Sequence, residues 1–333
     1  MNYGRFRLSN LENSEEVNSA EQKMEKNSGI TIKVPASVAN FGPGFETVAL
    51  AIKMYLNLKV KVQAPRKNQG IEIHIVGTEA ALLPTDNTNL IARVIEQVWP
   101  QDPGFLSCLS ITIDSEIPIA SGLGSSAAAT VAGVTAAMAL SGMRLEKGEI
   151  FERAAKIEGH ADGTCAAVFG GFAMCAPNIV PGDMLPRRLM WPEKWSVLAA
   201  IPAYKVYSKK ARATLPASVS HKDAVINVQK MALLIEAIAA GDDDAMRAAL
   251  RDKLHEPYKS KLVPELSELR KFLQGSEAIG TVLSGSGPAI ISVVDRDNKD
   301  SLLHKLNDWA QNRKVPVRIQ ELEVDDSGLY VTD

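Results

Sequence analysis

A glycine- and serine-rich segment constrains this chain more than any other feature. It occupies residues 118–128, reads Pro-Ile-Ala-Ser-Gly-Leu-Gly-Ser-Ser-Ala-Ala, follows an apolar stretch and opens an alanine-rich one. A loop of this kind at the start of a helix directs several backbone N–H groups and the positive helix end at one point, and two serine hydroxyls add to them. The segment therefore predicts a site for phosphate and a metal ion.

This segment differs from the two commonest phosphate-binding loops. No lysine follows its second glycine, so it is not the G-x-x-x-x-G-K-[ST] loop. A dinucleotide-binding fingerprint would need an acidic residue about 20 positions later, where the chain reads Ala-Leu-Ser-Gly-Met-Arg. The phosphate site predicted here is therefore of another kind.

Charge and cysteine content narrow the class of protein. A net charge of −2 over 333 residues lacks the basic surface that nucleic acids require, so we expect a small-molecule partner and no nucleic acid. Three cysteines without a C-x-x-C pair favour a reducing cytoplasm over a disulfide framework. Residues 1–29 are polar and charged and predict a disordered extension. A homodimer is expected from base rates alone.

One uncharged stretch, residues 117–143, is long enough to span a bilayer. It contains a proline, loop glycines and few large apolar side chains, so it predicts a buried helix and no membrane partner. Mixed strands and helices with half-polar strands indicate an α+β fold. Periodicity predicts strands at 30–35, 56–63, 71–76, 109–113, 170–175, 195–201, 281–294 and 315–322, and helices at 89–99, 126–140, 147–159, 223–240, 243–254, 262–273 and 300–313.

Three glycine-centred segments lie far apart in the chain, at residues 35–46, 118–128 and 283–288. Each segment alone is weak evidence of a function, because Gly-Pro-Gly and Gly-Ser-Gly usually mark turns. Together they resemble the three signature motifs of the GHMP small-molecule kinases. The first segment, and also residues 158–162, 170–171, 211–216 and 255–258, resemble the homoserine kinase version.

The resemblance implies a two-lobed GHMP kinase-like fold that uses ATP and Mg²⁺. The N-terminal lobe would cover residues 30–185 and carry the nucleotide loop, and residues 186–333 would form a ferredoxin-like lobe. The implied reaction is phosphorylation of the L-homoserine side-chain hydroxyl in threonine biosynthesis. Phosphoryl transfer needs charge neutralisation and positioning, which agrees with such a loop.

Nucleotide and metal contacts are implied residue by residue. The metal would be held by Ser126 and Glu158, with Glu152 as the alternative to Glu158. Asn89 falls where the family builds its nucleotide pocket, but it also suits a helix cap. The nucleotide contacts implied by the resemblance are Asn89, Pro118, Ser121, Gly122, Leu123, Gly124, Ser125 and Ser126.

Substrate contacts are implied in the same way. Ser126, Asp162 and Arg212 are the candidate catalytic residues. Arg212 could instead be a surface cation, and His160 could be structural. The substrate contacts implied by the resemblance are Asn40, Glu46, His160, Arg212, Lys259, Gly285, Ser286 and Gly287.

Departures from the family pattern cluster on the substrate side. Glu46 stands where the family favours Asp, Gly163 where it favours Asn, and Lys259 where it favours Arg; residues 164–166 also differ from the usual Val-Ala-Pro. A pocket built to hydrogen-bond one substrate discriminates strongly, so these changes keep two alternatives open. One is a kinase for another hydroxylated, amino-acid-like metabolite, and the other is a catalytically silent relative that binds ATP or a metabolite.

Overall fold

The computed structural model describes residues 29–64, 70–77, 79–99, 105–178 and 183–332. Residues 1–28, nearly all of the predicted extension, lie outside the described residues. The described part forms two sheets with helices packed on them, which confirms the predicted α+β class. Among these residues no helix is long and apolar enough to cross a membrane.

The strands are β1 (Gly29–Ala39), β2 (Val48–Val62), β3 (Glu72–Val76), β4 (Leu109–Ser115), β5 (Phe172–Pro177), β6 (Met184–Leu189), β7 (Trp195–Pro202), β8 (Ala278–Leu283), β9 (Ile290–Asp295), β10 (Val317–Leu322) and β11 (Tyr330–Thr332). The helices are α1 (Leu90–Val98), α2 (Ser125–Leu140), α3 (Lys147–Glu158), α4 (Asp162–Phe169), α5 (Ser208–Arg212), α6 (His221–Ala240), α7 (Asp243–Ala249), α8 (Glu256–Lys259), α9 (Glu265–Phe272) and α10 (Lys299–Gln311).

The first sheet is organised around the long strand β2. The order is β11-β1-β2-β4-β3, and β5 pairs with the beginning of β2 and carries β6 on its other side. The strands pair antiparallel except for β3 and β4, which are parallel. The second half of β2 alternates buried Leu58 and Val60 with exposed Lys59 and Lys61, because one face of the sheet is in solvent there.

The alanine-rich helix α2 is the centre of the first core. It packs against α1, α3, α4 and β1, and most of its residues are buried. Small side chains let its neighbours come close: a Cβ on Gly133 would lie 2.8 Å from Val94 of α1. The helix begins directly at the glycine-serine segment, so this packing fixes the direction in which the loop points.

The second sheet has the order β10-β7-β9-β8 and is antiparallel throughout. Our predicted strand 281–294 is two strands, because the third glycine segment turns the chain between β8 and β9. Residue 185, where we placed the lobe boundary, lies within β6, which pairs with β5 of the first sheet. The C-terminal strand β11 also returns to the first sheet and pairs with β1.

Candidate active site

The glycine-serine loop takes a conformation that only glycine accommodates at two positions. Gly122 and Gly124 have φ of +88° and +80°, in the left-handed region. A Cβ on Gly122 would lie 2.4 Å from the Ser284 carbonyl oxygen, and one on Gly124 would lie 2.3 Å from Oγ of Ser37. Gly124 is also the N-cap of α2, so the loop ends at the positive end of a buried helix.

The three glycine segments meet at this loop. Oγ of Ser284 donates to the carbonyl oxygen of Gly122 at 2.7 Å. The Gly285 N–H donates to the carbonyl oxygen of Ala39, at the end of β1, at 2.8 Å. The third segment therefore links the loop to the first segment, and all three border one space.

That space is a cleft of about 470 Å³. It brings together most of the residues that the sequence predicts for the site. Pro118, Leu123, Glu46 and Gly287 lie outside its lining, as does Glu152. The predicted residues that line it are Asn40, Asn89, Ser121, Gly122, Gly124, Ser125, Ser126, Glu158, His160, Asp162, Arg212, Lys259, Gly285 and Ser286.

Two oxygen-bearing side chains face the cleft beside the loop. Ser126 lies exposed in the first turn of α2, and Glu158 is the last residue of α3. The Glu158 carboxylate accepts a hydrogen bond from Oγ1 of Thr130 at 2.9 Å, and its side chain is only 11% exposed. Of the two glutamates that the sequence left open, the structure thus brings Glu158 into the cleft.

His160 and Asp162 form a polar pair on the same side. Nδ1 of His160 lies 3.1 Å from Oδ1 of Asp162, and its Nε2 lies 3.8 Å from the Glu158 carboxylate. The hydrogen bond with Asp162 raises the pKa of His160 above its ordinary value, against the opposing effect of burial. The imidazole therefore lies between two carboxylates, which favour its protonated form.

Lys259 reaches the cleft from α8 and is almost fully buried. Its Nζ donates to the carbonyl oxygen of Gly285 at 3.0 Å and lies 5.0 Å from the centre of the Phe45 ring. Burial lowers the pKa of Lys259 to about 8, and the negative charge of Asp162 opposes that shift in part. An ammonium group with so few partners is available to an anionic ligand.

An ion pair beside the cleft joins the first segment to α5. Nη1 of Arg212 pairs with Oε1 of Glu46, and the two side chains are 42% and 39% exposed. Asn40 and Glu46 both have positive φ, 57° and 54°, and the Asn40 Oδ1 accepts the Glu46 N–H at 2.8 Å. Such backbone conformations are costly in non-glycine residues and are typical of functional sites.

Two regions of the chain match the two domains of one protein family. The GHMP kinases N terminal domain matches residues 89–171, and the GHMP kinases C terminal domain matches residues 234–312. A homoserine kinase from Microchaete diplosiphon is 31% identical over 302 residues, which cover 90% of this chain and 96% of that protein. The chain belongs to the GHMP kinases.

Two further relatives agree with this. A homoserine kinase from Petrotoga mobilis is 33% identical over 310 residues, which cover 91% of this GHMP kinase and 96% of that protein. The crystal structure of homoserine kinase from Cytophaga hutchinsonii superposes with a TM-score of 0.78 over 93% of this chain and 99% of that one, at 24% identity. That structure supports the two-lobed fold that the resemblance implied.

Asn89 of this GHMP kinase is a helix cap. Its Oδ1 accepts the Ile91 N–H at 3.0 Å, and its Nδ2 donates to the carbonyl oxygen of Pro84 at 2.8 Å. Both polar ends of the side chain are thus used within the protein, although the residue lines the cleft. Its part in nucleotide binding stays a prediction.

The residue at position 163 has little room for a side chain. Gly163 lies in the first turn of α4, and a Cβ there would lie 3.3 Å from both Oγ of Ser37 and Cβ of Ala127. The space between these neighbours suits a residue without a side chain. An asparagine here would press on β1 and α2.

The structure also adds cleft residues that we did not predict from the sequence, among them Ser37, Glu79 and Tyr207. Ser37 lies within the first segment, but its hydroxyl is buried without a hydrogen-bond partner. Glu79 lies in an ordinary polar stretch after β3 and carries no local signal. Only the fold brings it to the loop.

Proposed function

We propose that this GHMP kinase transfers the γ-phosphoryl group of ATP to the side-chain hydroxyl of L-homoserine, in threonine biosynthesis. The observation that carries the proposal is the polarity of the cleft: an anion-binding loop borders it on one side, and groups of both charges border it on the other. The relatives named homoserine kinase, 31% and 33% identical over about nine tenths of the chain, support the same acceptor.

The loop and the apolar part of the cleft suit ATP. Backbone N–H groups around Gly122 and Gly124 can approach phosphate oxygens without interference from a side chain. Apolar side chains from β3, β4, α2 and the segments that follow β3 and β4 line the rest of that side and suit the adenine base. They include Ile75, Val76, Leu83, Ile113, Ile117 and Ala129.

The oxygen atoms beside the loop fit Mg²⁺. Ser126 and Glu158 would hold it, since Mg²⁺ takes oxygen ligands and is usually bound by one or two carboxylates together with phosphates and waters. When bound, the ion neutralises charge on the phosphates.

The opposite side suits a zwitterionic acceptor. Arg212 and Lys259 line the cleft and offer cations to a carboxylate, and Glu46, which pairs with Arg212 beside the cleft, would offer an anion to an ammonium group. Asp162 orients the acceptor hydroxyl, whose oxygen forms the new bond to phosphorus as the bond to the leaving ADP breaks, and the hydroxyl proton is released to solvent. Transfer is direct and forms no covalent enzyme intermediate.

An ADP-release assay with purified protein, ATP and Mg²⁺ tests the proposal. L-homoserine, L-threonine, L-serine and mevalonate are compared, and S126A serves as the control for enzyme-dependent turnover. We expect L-homoserine to give the highest kcat/KM. Preference for another acceptor would mean that Glu46, Gly163 and Lys259 have rebuilt the pocket, and nucleotide binding without ADP release on any acceptor would indicate a silent relative.

A further inference from the structure

Glu79 lies in the wall between the active-site cleft and a second cavity. That cavity has a volume of about 500 Å³ and lies between the segment before the glycine-serine loop and the ends of β7 and β10. Glu79, Ile119 and Ser121 line both spaces. A substitution of Glu79 is therefore expected to alter the environment of the glycine-serine loop directly.

The Glu79 carboxylate connects three parts of the chain. Glu79 follows β3 of the first sheet, and its Oε2 accepts the N–H of Ile119, three residues before Gly122. Its Oε1 lies 3.0 Å from Nζ of Lys205, which follows β7 of the second sheet. One carboxylate thus links both sheets to the entry of the phosphate-binding loop.

A second contact holds the same entry from the other side. The Val206 N–H donates to the carbonyl oxygen of Ala120 at 2.9 Å. Ala120 has φ of +53°, a conformation that is costly for a residue with a Cβ. The backbone at 119–120 therefore keeps this shape because neighbouring groups from both sheets fix it.

The charge of Lys205 matters because of what the cleft binds. A carboxylate in the wall of a nucleotide cleft repels phosphate groups unless a cation neutralises it. The Glu79 and Lys205 side chains are each 30% exposed, and ion pairs of such exposure contribute little to the free energy of unfolding. We therefore expect the pair to affect the affinity for the nucleotide.

We propose that Glu79 and Lys205 are a positioning pair for the phosphate-binding loop. The carboxylate fixes the loop entry through the Ile119 N–H, and the ammonium group prevents that carboxylate from repelling the nucleotide. The inference rests on the proposed function only in taking ATP as the ligand. The identity of the acceptor does not enter it.

Calorimetric binding of a non-hydrolysable ATP analogue with Mg²⁺, in the absence of acceptor, tests the pair. We expect K205M to weaken binding about tenfold, because it leaves a bare carboxylate in the wall. E79Q keeps an acceptor oxygen for Ile119 and is expected to stay within about threefold of wild type. The double variant E79Q/K205M is expected to recover to the same level, since no unpaired charge remains.

E79A and K299M complete the set. E79A removes the acceptor for Ile119 and is expected to weaken binding about tenfold, although it leaves no carboxylate in the wall and frees the Lys205 ammonium group. Lys299 is the matched control, because it forms an ion pair with Glu321 of β10 at 3.0 Å, is 28% exposed and does not line the cleft. K299M is expected to bind as wild type does.

The outcomes separate this inference from the proposed function. An unchanged affinity of K205M overturns the pair, as does a double variant that stays as weak as K205M. Failure of the wild-type protein to bind the analogue overturns the proposed function and the inference with it. Thermal unfolding of each variant confirms the fold, and K205Q replaces K205M where the methionine variant does not fold.

Discussion

Lys259 allows the acceptor site to be tested through pH. Its burial lowers the pKa to about 8 from an ordinary value of 10.5, the charge of Asp162 opposes that shift, and Arg212 adds to it. The ammonium form therefore predominates below pH 8, and the neutral amine predominates above it. A role in binding an acceptor carboxylate requires the ammonium form.

The size of the effect follows from that pKa. The protonated fraction of Lys259 falls from about nine tenths at pH 7 to about one tenth at pH 9. The kcat/KM for the acceptor reports groups of the free enzyme, so it is expected to fall about tenfold over this interval. In K259R the guanidinium stays charged, and the falling limb is expected to disappear from this range.

The measurement is kcat/KM for L-homoserine by ADP release between about pH 6.5 and 9.5, at saturating ATP. The same profile for ATP, at saturating acceptor, is the internal control and should lack the limb due to Lys259. A wild-type acceptor profile that stays flat to about pH 9.5 refutes the assignment. So does a K259R profile that falls at the same pH as wild type.

Three substitutions test the cleft from other sides. S126A is expected to lower kcat at least about tenfold, because Mg²⁺ would lose a ligand. Its Tm is expected to stay unchanged, because Ser126 is exposed; unchanged kcat contradicts the metal role. G122A is expected to lower both Tm and ATP affinity, because its Cβ would meet the Ser284 carbonyl oxygen at 2.4 Å; wild-type values contradict this. N89A is expected to cost about 1 kcal/mol of unfolding free energy by denaturant titration, as a lost cap; an unchanged midpoint contradicts the cap.

The glycine segments were predictable because their constraint is local. Gly122 and Gly124 need positive φ, and a serine pair after them opens a helix, so residue type alone indicates the loop. Only the resemblance favoured Glu158 over Glu152, since both lie on one predicted helix. Only the direction of α3 decides which of them reaches the cleft.

Helices and strands without a clear period of polar and apolar residues were not predicted. The eight residues of α4 are buried on nearly all sides, so they show no alternation between polar and apolar faces. Strand β6 contains Pro186 and two arginines and reads as a loop, but an edge strand tolerates a proline. The pairing of Glu79 with Lys205 depends on how the two sheets meet, which no local pattern encodes.

The position of β11 has a consequence for the folding of the chain. Strand β1, which leads into Asn40, takes its outer hydrogen-bonded neighbour from Tyr330–Thr332. Next to it, the Asp325 carboxylate accepts the N–H groups of Ser327 and Gly328 and the hydroxyl of Tyr55. One edge of β1 therefore stays uncovered until this distant segment of the chain has folded back onto it. Such a long-range pairing must close a large loop, which slows folding.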